Sequence, residues 1–283
     1  MKYFYRILFL AALILSVSLQ SSSYAKEPKG KKPWLILAKE DLARGTYHTD
    51  HYRIFKKYTS GYNLEVLKAI DMVQAHAMDG GGYFIGKDSV PTESPTYYEL
   101  KLFDKSLITP PRHSSYCSGS SYSAFIEALN IILAKKGKNL TPERLEALRM
   151  QEPNGGRRED WIKFWGIWNA DGFGSQFAMV QYSQMGVEVK PEDARPGDFL
   201  NISWKTGIGH SVVFLGWYMD EKNNKNMVYW SSQKSTNGFG DQVVSLDRIK
   251  DVKIVRLTKP GNLFKFDINQ KINKDVPGDQ INW

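Results

Sequence analysis

The sequence predicts an α+β fold in which helices precede an antiparallel sheet. Two observations carry that expectation. In the first half, apolar residues recur every three or four positions, as they do on one face of a helix. From Phe199 onward the pattern changes to short apolar, β-prone runs separated by turn formers. Helices first and strands second describe segregated α and β layers rather than alternating βαβ units. At 283 residues, 42% hydrophobic and 24% charged, the chain suits one generous domain, or one domain with insertions.

Residues 1–25 read as an export signal. Lys2 and Arg6 form a positive start, Ile7 to Val17 is almost wholly apolar, and Ser23-Tyr24-Ala25 makes a small-x-small cleavage site. Removing them takes away two positive charges and no acids, so the formal charge falls from +8 to +6. That surplus suits an anionic surface such as a cell wall and lacks the density that nucleic-acid binding requires. No later segment is long and apolar enough to span a membrane. An exported (periplasmic or secreted) protein is expected.

Residues 26–60 form a Lys-, Gly- and Pro-rich linker followed by an N-terminal extension packed on the domain. The domain itself covers residues 61–270. Its first helix runs from Asn63 to Met78, with Val66, Ile70, Val73 and Ala77 as the apolar stripe and Gly80-Gly81-Gly82 as the stop. Residues 83–114 read as a long, ordered loop. A second helix covers Ser118 to Lys136, carrying Tyr122, Phe125, Ile126, Leu129 and Leu133 on one face and Gly137 as cap. A helical insertion occupies about 139–185. Within it lie a helical region around Pro142 to Met150, a Gly- and Trp-rich stretch, and a helix from Ser175 to Gln184. Trp161, Trp165 and Trp168 stand at helical spacing, which favours core packing over a sugar-stacking platform. Expected strands are Phe199–Ile202, His210–Trp217, Met227–Ser232, Gln242–Leu246 and Val252–Leu257. Residues 271–283 read as a loosely ordered tail.

The chemistry centres on Cys117, the single cysteine. In an oxidising compartment it forms no intramolecular disulfide. It stands directly before the 118–136 helix, where unpaired backbone N–H groups and the helix dipole favour the thiolate. Ser118 and Gly119 leave room there for a substrate carbonyl and an oxyanion. Among five histidines, His210 opens the strand His210-Ser211-Val212-Val213 after a Gly-rich turn and is the expected base. His48 and His51 have H-x-x-H spacing with no third donor nearby in sequence, so no metal is expected. His76 falls on the flank of its helix, and the direction of His113, four residues before Cys117, is left open.

Three blocks taken together resemble the NlpC-type and CHAP-type cysteine peptidases and amidases. They are Cys117-Ser118-Gly119 opening a helix, then Arg195-Pro196-Gly197-Asp198-Phe199, then Gly209-His210-Ser211-Val212-Val213-Phe214-Leu215-Gly216. The resemblance implies a papain-like core, with a Cys-bearing helix packed on an antiparallel sheet that carries the His. It also implies hydrolysis of amide bonds in peptidoglycan peptide stems without metal or organic cofactor. Tyr116 stands where the family often has an acid, and the Trp-rich insertion lies outside the common core. In the family the third catalytic member comes from the next strand; here Gln233, with the reach to accept from the imidazole, is chosen over Ser231. Tyr83 is a further candidate for oxyanion or substrate contact, with Ser118 and Ser231. Acyl transfer on the same core, or cell-wall binding without catalysis, are the competing expectations.

Overall fold

A computed structural model describes residues 34–43, 47–84, 94–150, 164–165, 173–273 and 275–283. The expected export signal, Trp161 and Trp168 lie outside them. The fold is α+β. Strands β1 (Leu100–Leu102) and β2 (Lys105–Ile108) form a hairpin. Strands β3 (Gly186–Val189), β4 (Phe199–Trp204), β5 (Gly209–Met219), β6 (Lys225–Gln233), β7 (Gly238–Ser245) and β8 (Ile249–Leu257) form an antiparallel sheet in the order β3-β8-β4-β5-β6-β7. Among the described residues, no helix is long and apolar enough to cross a membrane.

Side chains alternate across each strand, so the sheet has two buried faces. Val213, Leu215, Val228, Trp230, Phe239 and Val255 face helices α2 (Asn63–Ala75) and α3 (Cys117–Leu133). Leu200, Ile202, Val212, Phe214, Tyr229 and Ile254 face the other way, under Trp34, Trp204 and Trp283. Helix α3 is buried from Ser118 through Ile126, and its small first turns allow close approach. A Cβ on Gly119 would fall 1.7 Å from the Pro95 carbonyl oxygen.

The proline-glycine-aspartate turn before β4 is a structural clamp. Asp198 is fully buried. It accepts two bonds from Arg256, one from the Asn63 side chain and one from the Arg195 backbone, each 2.8 Å. The start of α2 is thereby tied to β8.

Several expectations are corrected. Residues 83–114 hold the β1–β2 hairpin rather than loop alone. Gly137 is no cap: the chain continues in 3₁₀ turns over Ala134–Asn139, and Gly137 packs under the Phe103 ring. The 175–184 helix is a short α-turn, Gly174–Gln176, followed by a π-helical turn over Phe177–Tyr182. Trp165 has φ +64, which is not helical, and its indole is buried against Phe125 and Phe199. The segment after residue 271 is tied down. Asp279 pairs with Val252 in the backbone and with Lys190 at 2.6 Å, and Trp283 stacks on Trp34. At the other end, Leu37 N–H donates to the Trp217 carbonyl at 2.7 Å.

Candidate active site

Cys117 is the first residue of the 17-residue α3 and is half-buried. Its backbone is fixed by a set of serine hydroxyls between α3 and the sheet. Ser120 donates to the Cys117 carbonyl at 2.7 Å and accepts from the Ser232 N–H at 3.0 Å. Ser115 donates to the Ser232 hydroxyl at 2.8 Å, and Ser121 bonds the Ser211 hydroxyl at 2.7 Å. The Trp165 indole N–H, at 2.9 Å, closes the set on Ser121.

These contacts carry the start of α3 to β5. The Ser211 backbone N–H, on the peptide that follows His210, lies close enough to the Cys117 sulfur to favour its thiolate form. Tyr229 of β6 lies beside His210: its ring meets the imidazole edge-on at 5.5 Å, and burial pushes its phenol well above the ordinary value.

The electrostatics correct the thiolate expectation. Burial pushes the Cys117 thiol up. The N–H groups of Ser211, Ser118 and Cys117 itself, with the Ser118 hydroxyl, oppose this without overcoming it. Burial pushes His210 down to about 4, countered in part by the Gln233 carboxamide. At neutral pH the resting pair is therefore thiol and imidazole, with the imidazole free to accept a proton.

Gln233 lies on β6 against His210. Its Nε2 donates to Thr236 Oγ1 at 2.6 Å and to the Gly240 carbonyl at 3.2 Å. This fixes the amide orientation. Its Oε1 and the His210 Nε2 are both buried without a hydrogen-bond partner, and the carboxamide favours the protonated ring. Ser231 shares that face but donates to the Ser211 carbonyl at 2.7 Å, so its hydroxyl is engaged in the sheet. Ser118 Oγ is buried without another partner beside the sulfur. Tyr83 pairs with Ser115 in an isolated bridge. Burial, and the nearby Cys117, push its phenol up to about 12, so it remains a proton donor.

Sequence reasoning missed Tyr229 and the Ser211 N–H. Tyr229 was findable, because it shares the alternation of Ser231 and Gln233. His76 stacks on Tyr98 at 3.7 Å and His113 bonds the Tyr97 carbonyl at 3.2 Å; neither joins the site. A separate cleft of about 560 Å³, lined by Tyr182, Gln184, Lys259, Asn262 and Phe266 among others, contains none of the candidate residues.

His48 and His51 gain the third donor that their spacing lacked. Asp241 of β7 accepts from both rings at 2.8 Å. Compared with protein-family models, curated proteins and solved structures, the chain matches none.

Proposed function

We propose that the chain is an exported cysteine hydrolase with a papain-like core, which cleaves amide bonds in peptidoglycan peptide stems. The observation that carries this reading is the order of three neighbours: the Cys117 sulfur at the start of α3 lies by the Ser211 N–H, His210 precedes that N–H on β5, and the Gln233 carboxamide of β6 acts on the imidazole.

With Gln233 Oε1 accepting from Nε2–H, the His210 lone pair lies on Nδ1 and receives the Cys117 proton. The sulfur attacks the carbonyl carbon, and the C=O electron pair moves onto oxygen. Backbone N–H groups at the helix start and the Tyr83 hydroxyl stabilise that oxyanion. The oxyanion collapses, the C–N bond breaks, and the imidazolium gives its proton to the leaving amine. Water, deprotonated by His210, then cleaves the thioester and frees the thiol. Because the resting pair is neutral, proton transfer accompanies attack instead of preceding it.

The test is incubation of the purified protein with peptidoglycan, followed by mass spectrometry of the released material. Fragments that gain the mass of water at an amide, and that disappear with Cys117→Ala, support hydrolysis. New crosslinks of conserved total mass identify acyl transfer to an amine. Retention of peptidoglycan without either product, unaffected by Cys117→Ala, overturns catalysis in favour of binding.

A further inference from the structure

The second cluster lies where the N-terminal segment crosses the edge strand β7. His48 Nε2 is 2.8 Å from Asp241 Oδ2, and His51 Nε2 is 2.8 Å from Asp241 Oδ1. The two rings stack with centroids 4.2 Å apart. One donor atom from each of the three residues lies within 4.8 Å of the others. A tetrahedral ion with bonds near 2.0–2.1 Å holds its donors roughly 3.3 Å apart. Small rotations of three side chains therefore suffice.

The surroundings of His51 suit a ligand. Its Nδ1 lies 2.6 Å from Asp71 Oδ1, and Asp71 is itself held by the backbone N–H groups of His51 at 2.8 Å and Tyr52 at 3.0 Å. A carboxylate that fixes Nδ1–H directs the lone pair to Nε2, the arrangement that orients histidines bound to metals. Two carboxylates of like charge, Asp71 and Asp241, bracket one fully buried imidazole. A dication bound there balances both.

We propose that His48, His51 and Asp241 bind a divalent transition-metal ion of the zinc type, with Asp71 holding His51 in its ligating tautomer. The ion accepts the lone pairs of both Nε2 atoms and one Asp241 oxygen. Each ring nitrogen of His51 faces a carboxylate, so on binding its Nε2 proton leaves to solvent, while the Nε2 proton of His48 moves to Nδ1. This relocation costs the long 3.3 Å bond that Nδ1 now receives from the Asp50 N–H. The His48 side chain is 17% exposed, so ion and water enter from its side and water completes the shell. The donor set of two imidazoles and a carboxylate is one that zinc accepts with an open position. The ion strengthens the hold of residues 47–55 on the edge strand β7, which they already cover through Asp241. The site is independent of the Cys117 chemistry.

Zinc binding is measured by calorimetry on the full chain carrying Cys117→Ala, so that no thiolate competes. One zinc ion per chain is expected, together with a tetrahedral ligand-field spectrum when cobalt is substituted. His48→Ala should weaken binding at least tenfold, and Asp71→Asn about 10–100-fold. His76→Ala and His113→Ala should leave it unchanged. Absence of saturable binding, or binding that survives His48→Ala intact, overturns the site. His48 sits at the surface of the cluster, so that variant keeps the test valid even if Asp241→Asn fails to fold.

Discussion

Gln233→Glu places a carboxylate where a neutral carboxamide now acts on the His210 imidazole. At about 4 Å and an effective dielectric of about 20, the attraction for the imidazolium is about 4 kcal/mol, or about 3 pKa units. From about 4 in the native protein, the imidazole should rise to roughly 7. The substitution also replaces the donor to Thr236 Oγ1 and the Gly240 carbonyl with an acceptor, at a stability cost of about 1–3 kcal/mol. NMR titration of the His210 ring reads the shift directly, with His76→Ala and His113→Ala variants used to assign the signals. The acidic limb of the pH–rate profile should move by the same amount, since free imidazole is the proton acceptor. A His210 shift of less than about one unit would show that Gln233 and the imidazole are not in contact, and Ser231 would be tested next.

Iodoacetamide should label Cys117 more slowly than a model thiol at pH 6–7, because burial holds the thiol protonated; rapid labelling at pH 6 would refute the neutral resting pair. Cys117→Ala and His210→Ala should each abolish turnover with unchanged circular dichroism, and the double variant should be no worse than either. His210 is held below the ordinary 6.5 in the fold, so the unfolded chain binds its proton more readily. Stability is then complete above pH 6.5 and lost as pH falls toward 4, by about 2 kcal/mol after allowing for solvent on one side of the ring. Denaturant melts of His210→Asn should show a flatter profile across that window. Asp198→Ala removes four hydrogen bonds, made by Arg256, Asn63 and the Arg195 N–H, and should cost about 3–5 kcal/mol, read as a fall in Tm on the order of 10 °C.

The five central and edge strands from Phe199 onward were legible because each combines β-prone residues with turn formers at both ends. Strand β3 was not, since Gly186–Val189 is too short to show a period. The β1–β2 turn places Phe103 at φ +59, where sequence rules look for glycine or asparagine. Cys117, His210 and Gln233 stood out through local signals: a helix start and two strand ends. The sign of the thiol shift did not, because desolvation depends on how the whole fold closes around the sulfur. The His48–His51–Asp241 cluster was beyond reach for a simpler reason. Asp241 joins the pair across 193 and 190 positions of chain, and no local pattern encodes that distance.

The serine contacts beneath Cys117 have a thermal consequence. Serine has a single heavy-atom torsion, so seating Ser115, Ser120, Ser121, Ser211 and Ser232 freezes little side-chain entropy. Long charged side chains joining the same elements would lose far more, and would loosen correspondingly as temperature rises. Here the spacing between α3 and β5 is fixed by one-carbon links on two backbones. The sulfur is consequently placed by main-chain geometry and should keep its register until the sheet itself melts. Adjustment to the size of a substrate then falls to the segment carrying Tyr83, which is joined through backbone bonds to Ser115, two residues before α3.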